Sequence, residues 1–262
     1  MSAPSRVQLA PGYLLHHLPY RDTSRILEVL TRDHGRLSLF ARGVRGPKSR
    51  LAAVLQPFQP LLLSWSGRGE APQLTGAELE GAPRPLAADR LLAAFYLNEL
   101  ILKLTTRHDP HPALYEAYRH ALEALAAATA PGPHEMERPL RLFEKRLLEE
   151  VGYGLDLETS AGGVTSAAGV TSAAGGGAID PALFYQFRPE QGLVAAAAGA
   201  PGALSGRSLI ALAREQLEHP QELEDARRLL KVALDHCLEG RELATRTVAR
   251  AIAGRRRAAR RD

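Results

Sequence analysis

Four fixed cations, Arg42, Arg45, Lys48 and Arg50, share the decapeptide ARGVRGPKSR at positions 41–50 with two glycines, a proline and no acid. Charges of one sign held this close repel one another, and an arriving polyanion relieves the repulsion. The window is wider than the loop. From Gly35 to Gly69 there are six Lys or Arg residues, Arg36 and Arg68 completing the set, and no Asp or Glu. The chemistry open to such a set is electrostatic: a track for phosphates, or a receiver for an acidic protein surface.

Covalent chemistry finds little support. The motifs G-x-S-x-G, G-x-x-x-x-G-K-[ST] and H-E-x-x-H and a Gly-rich dinucleotide fingerprint are all missing, so no catalytic residue is assigned. His16 and His17 are adjacent and face opposite ways in a strand. His108, Asp109 and His111 sit in HDPHP, where two prolines favour a turn between helices over a metal site. One cysteine, Cys237, allows no intramolecular disulfide and lies in an apolar seam, Ala226, Leu229, Leu230, Ala233, Leu234, Cys237 and Leu238, as a small core residue. No cofactor and no metal are expected.

Charge is segregated along the chain. Residues 1–80 carry ten Lys/Arg against six Asp/Glu, residues 81–240 fifteen against twenty-one, and residues 241–262 eight against two. Basic ends on an acidic middle are the footprint of a polyanion binder. The end itself, AGRRRAARRD, has five arginines in its last eight residues and reads as an unfolded arm, with Arg255, Arg256 and Arg257 as contacts to a phosphate backbone or as a solubilising tail. With no leader peptide readable at the start and no apolar run of membrane length, the expected location is the cytoplasm.

The elements that must position these residues change character near residue 82. Before it, YLLHHL (13–18), RILEVLT (25–31), RLSLFARG (36–43), PLLLSWSG (60–67) and PQLTGAELEG (72–81) are short segments cut by turn formers, the second and third flanking the hairpin signal RDHG. Leu37, Leu39 and Ala41 alternate with Arg36, Ser38 and Phe40, the period of a half-buried strand. Five short strands suggest a small closed barrel, and the OB barrel is the common one that binds nucleic acid. After it, helical periodicity covers residues 88–106, 112–128 and 135–151, the last stopped by Gly152. The fold class is therefore α+β: a barrel domain over 1–82, an α-helical domain over 83–254 and a basic tail over 255–262. Near 159–178 the hexapeptide GVTSAA occurs twice in succession, a loop or disordered expansion with no assigned function.

Residues 12–70, GYLLHHLPYRDTSRILEVLTRDHGRLSLFARGVRGPKSRLAAVLQPFQPLLLSWSGRGE, closely resemble the N-terminal domain of the RecO recombination mediators. The likeness continues through YLNEL (96–100), RLFEKRLLEEVGYGLDL (141–157), FYQFRPEQG (184–192) and LSGRSLIAL (204–212), and weakens in the tail. It implies an OB barrel followed by a helical domain, in a non-enzymatic protein of the RecF pathway that binds single- and double-stranded DNA. It further implies annealing of complementary strands, contact with the acidic C-terminal tail of single-strand-binding protein (SSB), and cooperation with RecR to load RecA. Some members carry a four-cysteine zinc site after the segment matching GYGLDL. Here that stretch is ETSAGGVTSAAGVTSAAGGG and has no cysteine.

Combined with the charge pattern, the resemblance assigns Arg36, Arg42, Arg45, Lys48, Arg50 and Arg68 to a phosphate track. Six single-strand contacts at ~0.7 each give a log–log salt slope of about −4. Trp65 is a candidate base-stacking residue, although it suits a barrel core at least as well, as do Phe40 and Phe58. Scarce stacking favours backbone binding with little sequence preference. The SSB tail is assigned to Arg141, Leu142 and Lys145, a cation beside apolar surface. The alternative is an OB-fold adaptor acting mainly through protein contacts.

Overall fold

The computed structural model describes residues 6–46, 49–127, 133–161, 164–165, 171–172 and 177–258. Five strands, β1 (Arg6–Tyr20), β2 (Ser24–Thr31), β3 (Gly35–Ala41), β4 (Leu61–Ser66) and β5 (Gln73–Leu79), close a barrel in the order β1-β2-β3-β5-β4. Neighbours run antiparallel except β3 and β5, which meet in parallel at Phe40 and Gln73. This is the OB-type barrel that the segmented sequence suggested, and each expected strand contributes to one observed strand. Its interior holds Leu14, Leu27, Val29, Leu37, Leu39, Leu61, Leu63 and Trp65. Between β3 and β4 a short helix, α1 (Arg50–Val54), lies where the sequence reads as loop. It forms because Leu51 and Val54 pack against the barrel core, followed by the buried Leu55.

One strand, β1, serves two neighbours. Gly12 stands opposite Thr31 of β2 and Leu61 of β4, and two register shifts, at Val7/Ala10 and Leu14/His16, bend the strand between them. The second shift leaves Leu15 out of the ladder, and a buried carbonyl without a partner is costly. Asn98, on α2 (Leu91–Leu104), donates to the Leu15 oxygen at 2.8 Å, while the Tyr118 hydroxyl donates to the Asn98 oxygen. Tyr118 belongs to α3 (Pro112–Ala127), whose Tyr115 and Tyr118 rings pack 5.5 and 5.0 Å from that of Tyr13. The polar pair inside an apolar contact thus repairs the bulge.

The chain forms two compact units, residues 1–127 with 243–262, and residues 128–242. In the second unit α4 (Pro133–Glu150) packs on a later helix, α6 (Pro220–Cys237). Between them in sequence come the dipeptide strands β6 (Val164–Thr165) and β7 (Thr171–Ser172), the sheet strands β8 (Phe184–Arg188), β9 (Gly192–Ala196) and β10 (Leu204–Ser205), and α5 (Gly206–Ala213). The sequence reading anticipated helices and missed the sheet, ordered β10-β8-β9. Its signal is a hairpin: FYQFR and GLVAA flank the turn PEQ, and Tyr185 and Leu193 are each 2% exposed. In the repeat, β6 and β7 pair with each other; its other residues lie outside the described set. Cys237 is buried, and burial pushes its thiol up to about 11, as suits a core position.

The last helix, α7 (Ala244–Ala258), returns the chain to the first unit. Its first N–H groups, on Ala244 and Thr245, donate to the Glu99 carboxylate of α2 at 2.8 and 3.0 Å, and the Thr245 hydroxyl donates at 2.6 Å. A carboxylate at a helix N-terminus satisfies orphan donors and opposes the helix dipole. Where the sequence suggested an unfolded arm from residue 255, helical backbone continues to Ala258. Alanine and arginine are strong helix formers, and that propensity continues a turn already nucleated upstream. Residues 259–262 lie outside the described set.

The hairpin between β2 and β3 turns through Arg32, Asp33 and His34 into Gly35, at φ +67°. A Cβ there would stand 2.2 Å from the Asp109 carbonyl oxygen. Gly35→Ala therefore combines left-handed strain with a backbone clash and is expected to lower unfolding stability by at least about 2 kcal/mol, read from urea denaturation.

Candidate nucleic-acid interface

The basic loop after β3 is held by an apolar peg. Val44, between Arg42 and Arg45 in sequence, is fully buried in the barrel core, and both arginines are exposed. Gly43 takes φ +69° to make the reversal, the Gly46 N–H donates to the Gly43 oxygen at 3.2 Å, and the Ser49 N–H donates to the Gly46 oxygen at 3.0 Å. Two more bonds tie the loop to the turn between β1 and β2. The Arg45 N–H donates to the Thr23 oxygen at 2.8 Å, and its Nη1 donates to the Arg21 oxygen at 3.2 Å.

Strand pairing sets the neighbours of this loop. Ala41, at the end of β3, lies opposite the half-buried Arg25 near the start of β2. The Phe40 N–H donates to the Pro72 oxygen at 2.9 Å, which joins the end of β3 to the β4–β5 turn carrying Arg68. Gln73 pairs in turn with Ser66, and Ser66 with Arg6 at the start of β1. Arg21, Arg42, Arg45 and Arg68 are exposed on this run of adjoining strand ends, and Arg50 is exposed at the start of α1. Among the described residues none of them has a carboxylate partner. Lys48 lies outside the described residues.

Arg36 has a different position. Its Nη1 donates to Glu28 at 3.0 Å, its Nη2 to the Thr105 oxygen at 2.8 Å and its Nε to the Thr105 hydroxyl at 3.1 Å, with the side chain 12% exposed. Glu28 also accepts from the Ser38 hydroxyl and from Arg107. Burial alone would raise the Glu28 carboxyl, but the Ser38 hydroxyl and the Arg107 and Arg36 guanidinium groups outweigh it and hold the carboxyl below its ordinary value. Arg36 is therefore committed to an internal cluster. Ser38, the solvent-facing member of the expected alternation, is buried for the same reason. Trp65 is 5% exposed within the barrel core, edge-on to His34 at 5.1 Å, and offers no open face for a base.

The other expected contacts fall on two helices. On α4, Arg141 is buried and pairs with Glu144 at 2.9 Å, its Nε having no hydrogen-bond partner. Lys145 is buried too, 2.7 Å from Glu149 and 3.0 Å from Glu215, while Leu142 is half-buried. On α7, Arg255 is exposed; the side chains of Arg256 and Arg257 lie outside the described set. Among the described residues no three His, Cys, Asp or Glu gather as a metal site, and no helix is long and apolar enough to cross a membrane. His111 meets Asp109 within its loop at 3.3 Å.

Sequence reasoning missed Arg21 as a member of the basic row and Arg25 as its half-buried neighbour. Asp22 interrupts their segment, PYRDTSR, and only the hairpin register brings that turn beside ARGVRGPKSR. The hydrophobic alternation of RILEVLT against RLSLFA carries the register, so the signal was present but indirect.

Comparison with known proteins gives a consistent answer across the chain. Residues 6–82 match the family model described as Recombination protein O N terminal, and residues 86–247 match the one described as Recombination protein O C terminal. The chain is 42% identical over 247 residues to the DNA repair protein RecO of Methylococcus capsulatus, spanning 94% of this chain and 95% of that relative. It is 40% identical over 255 residues to the RecO protein of Thiobacillus denitrificans, spanning 95% and 94%. The RecO protein of Dechloromonas aromatica is 38% identical over 250 residues, spanning 95% and 97%.

The Glu28 cluster gives a pH-dependent expectation. Glu28→Gln leaves Arg36 uncompensated and is expected to cost about 3 kcal/mol at neutral pH. A depressed carboxyl contributes fully above its unfolded-state value, 4.5, and loses that contribution as pH falls through the lower folded value. The stability gap between wild type and variant should hold from neutral pH to about pH 5 and narrow below it, measured by urea unfolding across a pH series.

Proposed function

Because the chain belongs to the RecO family, with its role in DNA repair and recombination and with DNA and repair proteins as partners, we propose that it is a non-catalytic mediator that grips the backbone of single- and double-stranded DNA and anneals complementary strands. The observation that carries this reading is the set of exposed arginines at and beside adjoining ends of the barrel strands, which among the described residues have no carboxylate partner. A nucleic-acid backbone offers a repeating line of anions to such a row, and their displaced counterions supply the favourable entropy. Annealing follows physically: cations shared between two strands lower the strands' mutual repulsion while their bases stay free to pair. The basic end of α7, with Arg255 exposed, is proposed as a second cationic element for duplex or a neighbouring strand.

Protein partners complete the proposal. We assign the acidic SSB tail to the segment of Arg141, Leu142 and Lys145. Since Arg141 and Lys145 already pair with Glu144, Glu149 and Glu215, an acidic peptide there must exchange with those carboxylates. RecR is the proposed co-mediator and RecA the recombinase loaded onto SSB-coated strands, in the cytoplasm.

The test replaces Arg42, Arg45, Arg50 and Arg68 together with alanine and follows DNA binding by fluorescence anisotropy across a salt series. Losing four single-strand contacts at ~0.7 each should flatten the log–log slope by about 3, with strand annealing slowed and the circular dichroism melt unchanged. An unchanged slope in a folded variant removes the row from the function. Weak wild-type binding at every salt concentration would favour the adaptor reading.

A further inference from the structure

The barrel face beside the arginine row carries aromatic surface that the core does not use. Alternation along β2 and β3 sends Leu27, Leu39 and Ala41 inward, at 0%, 0% and 1% exposure. Their neighbours face the other way. Leu18, Ile26 and Phe40 are directly paired across β1, β2 and β3, with Leu18 53% exposed and Ile26 and Phe40 half-buried. Tyr20, 38% exposed, meets Phe40 edge to face at 5.6 Å and 88°. Farther along the same face, Glu28, Ser38 and Arg36 are closed over by Thr105 and Arg107, so the open part is confined to the strand ends where the basic loops stand.

The surroundings point to one kind of occupant. The Arg21 guanidinium carbon lies 5.3 Å from the Tyr20 ring centroid, a cation–π contact at an exposed site. Arg21 itself sits at φ +51°, where a side-chain-bearing residue is strained, and its oxygen accepts from Arg45. An apolar, aromatic patch rimmed by Arg21, Arg42 and Arg45 complements a ligand that is flat and apolar at its centre and anionic at its edges. An unpaired nucleotide has that chemistry: a base with a π-face joined to phosphate.

We propose that the Tyr20–Phe40 pair is a stacking subsite for one unpaired nucleobase, which takes the place of the Arg21 guanidinium on the Tyr20 ring while Arg21, Arg42 and Arg45 hold the flanking phosphates. The proposal rests on the phosphate-row reading and adds strand discrimination to it. Bases inside a duplex are stacked on one another and cannot reach the rings, so the subsite serves single strands alone. Stacking on an aromatic face tolerates any base, which keeps the site independent of sequence.

The experiment measures binding of the full chain to three probes at one salt concentration: a mixed-sequence single strand, an abasic single strand of equal length, and a duplex. Wild type should prefer the natural single strand over the abasic one by about tenfold. Tyr20→Ala should erase that preference without changing duplex affinity or the salt slope; Tyr20→Phe should keep it, and Phe40→Leu, which preserves apolar volume, should reduce it. Equal wild-type binding to natural and abasic strands, or a full preference in a folded Tyr20→Ala protein, overturns the subsite. If the preference survives in Tyr20→Ala while the four-arginine replacement still flattens the salt slope, the subsite fails and the phosphate row stands. Absence of binding to all three probes defeats the phosphate row and the subsite together.

Discussion

Burial of Val44 in the barrel core is the contact on which the basic loop depends. Removing a valine side chain from water contributes roughly 1.5–3 kcal/mol. Two exposed unit charges 4 Å apart in water repel by about 1 kcal/mol, and salt screens them further. The peg therefore outweighs the repulsion of any one such pair around it, and it helps the loop keep its shape without an anion. A preorganised cationic loop loses less conformational freedom on binding than one that must order first.

Two sets of arginines in the first unit differ in what neutralises them. Arg36, Arg84, Arg107 and Arg119 face the chain's own carboxylates, Glu28, Glu116 and Glu123: Arg36 and Arg107 tie the barrel to the segment after α2, Arg84 reaches α3, and Arg119 pairs within α3. Arg21, Arg42, Arg45, Arg50 and Arg68 face water. The charge sum is blind to this difference. It follows from geometry: Glu28 pairs with Ser38 in the β2–β3 register, which places it within reach of Arg36 and of the segment after α2.

Much of the barrel was legible because its signal is local. Alternation of Leu37, Leu39 and Ala41 with polar neighbours, and turn formers between short apolar runs, are properties of adjacent residues. The position of Arg36 was not legible, because its partners Glu28 and Thr105 are eight and sixty-nine residues away. Trp65 was ambiguous in sequence, since an aromatic on a strand can face either side; pairing with Val7 and Leu74 resolved it inward. The sheet of β8, β9 and β10 escaped because two of its strands are five residues long and one is two, set among helical blocks. The end of α7 escaped because repulsion among arginines was weighed without the helical turns that precede them.

The cap on α7 has a consequence for biosynthesis. Glu99 is translated more than a hundred residues before Ala244 and Thr245, the groups it receives, and residues 128–242 form their own compact unit in between. The first unit is thus a host interrupted by a guest. On the ribosome, barrel and guest can each complete their cores while α7 is still unmade, so this carboxylate waits in solvent until Ala244 and Thr245 have been synthesised.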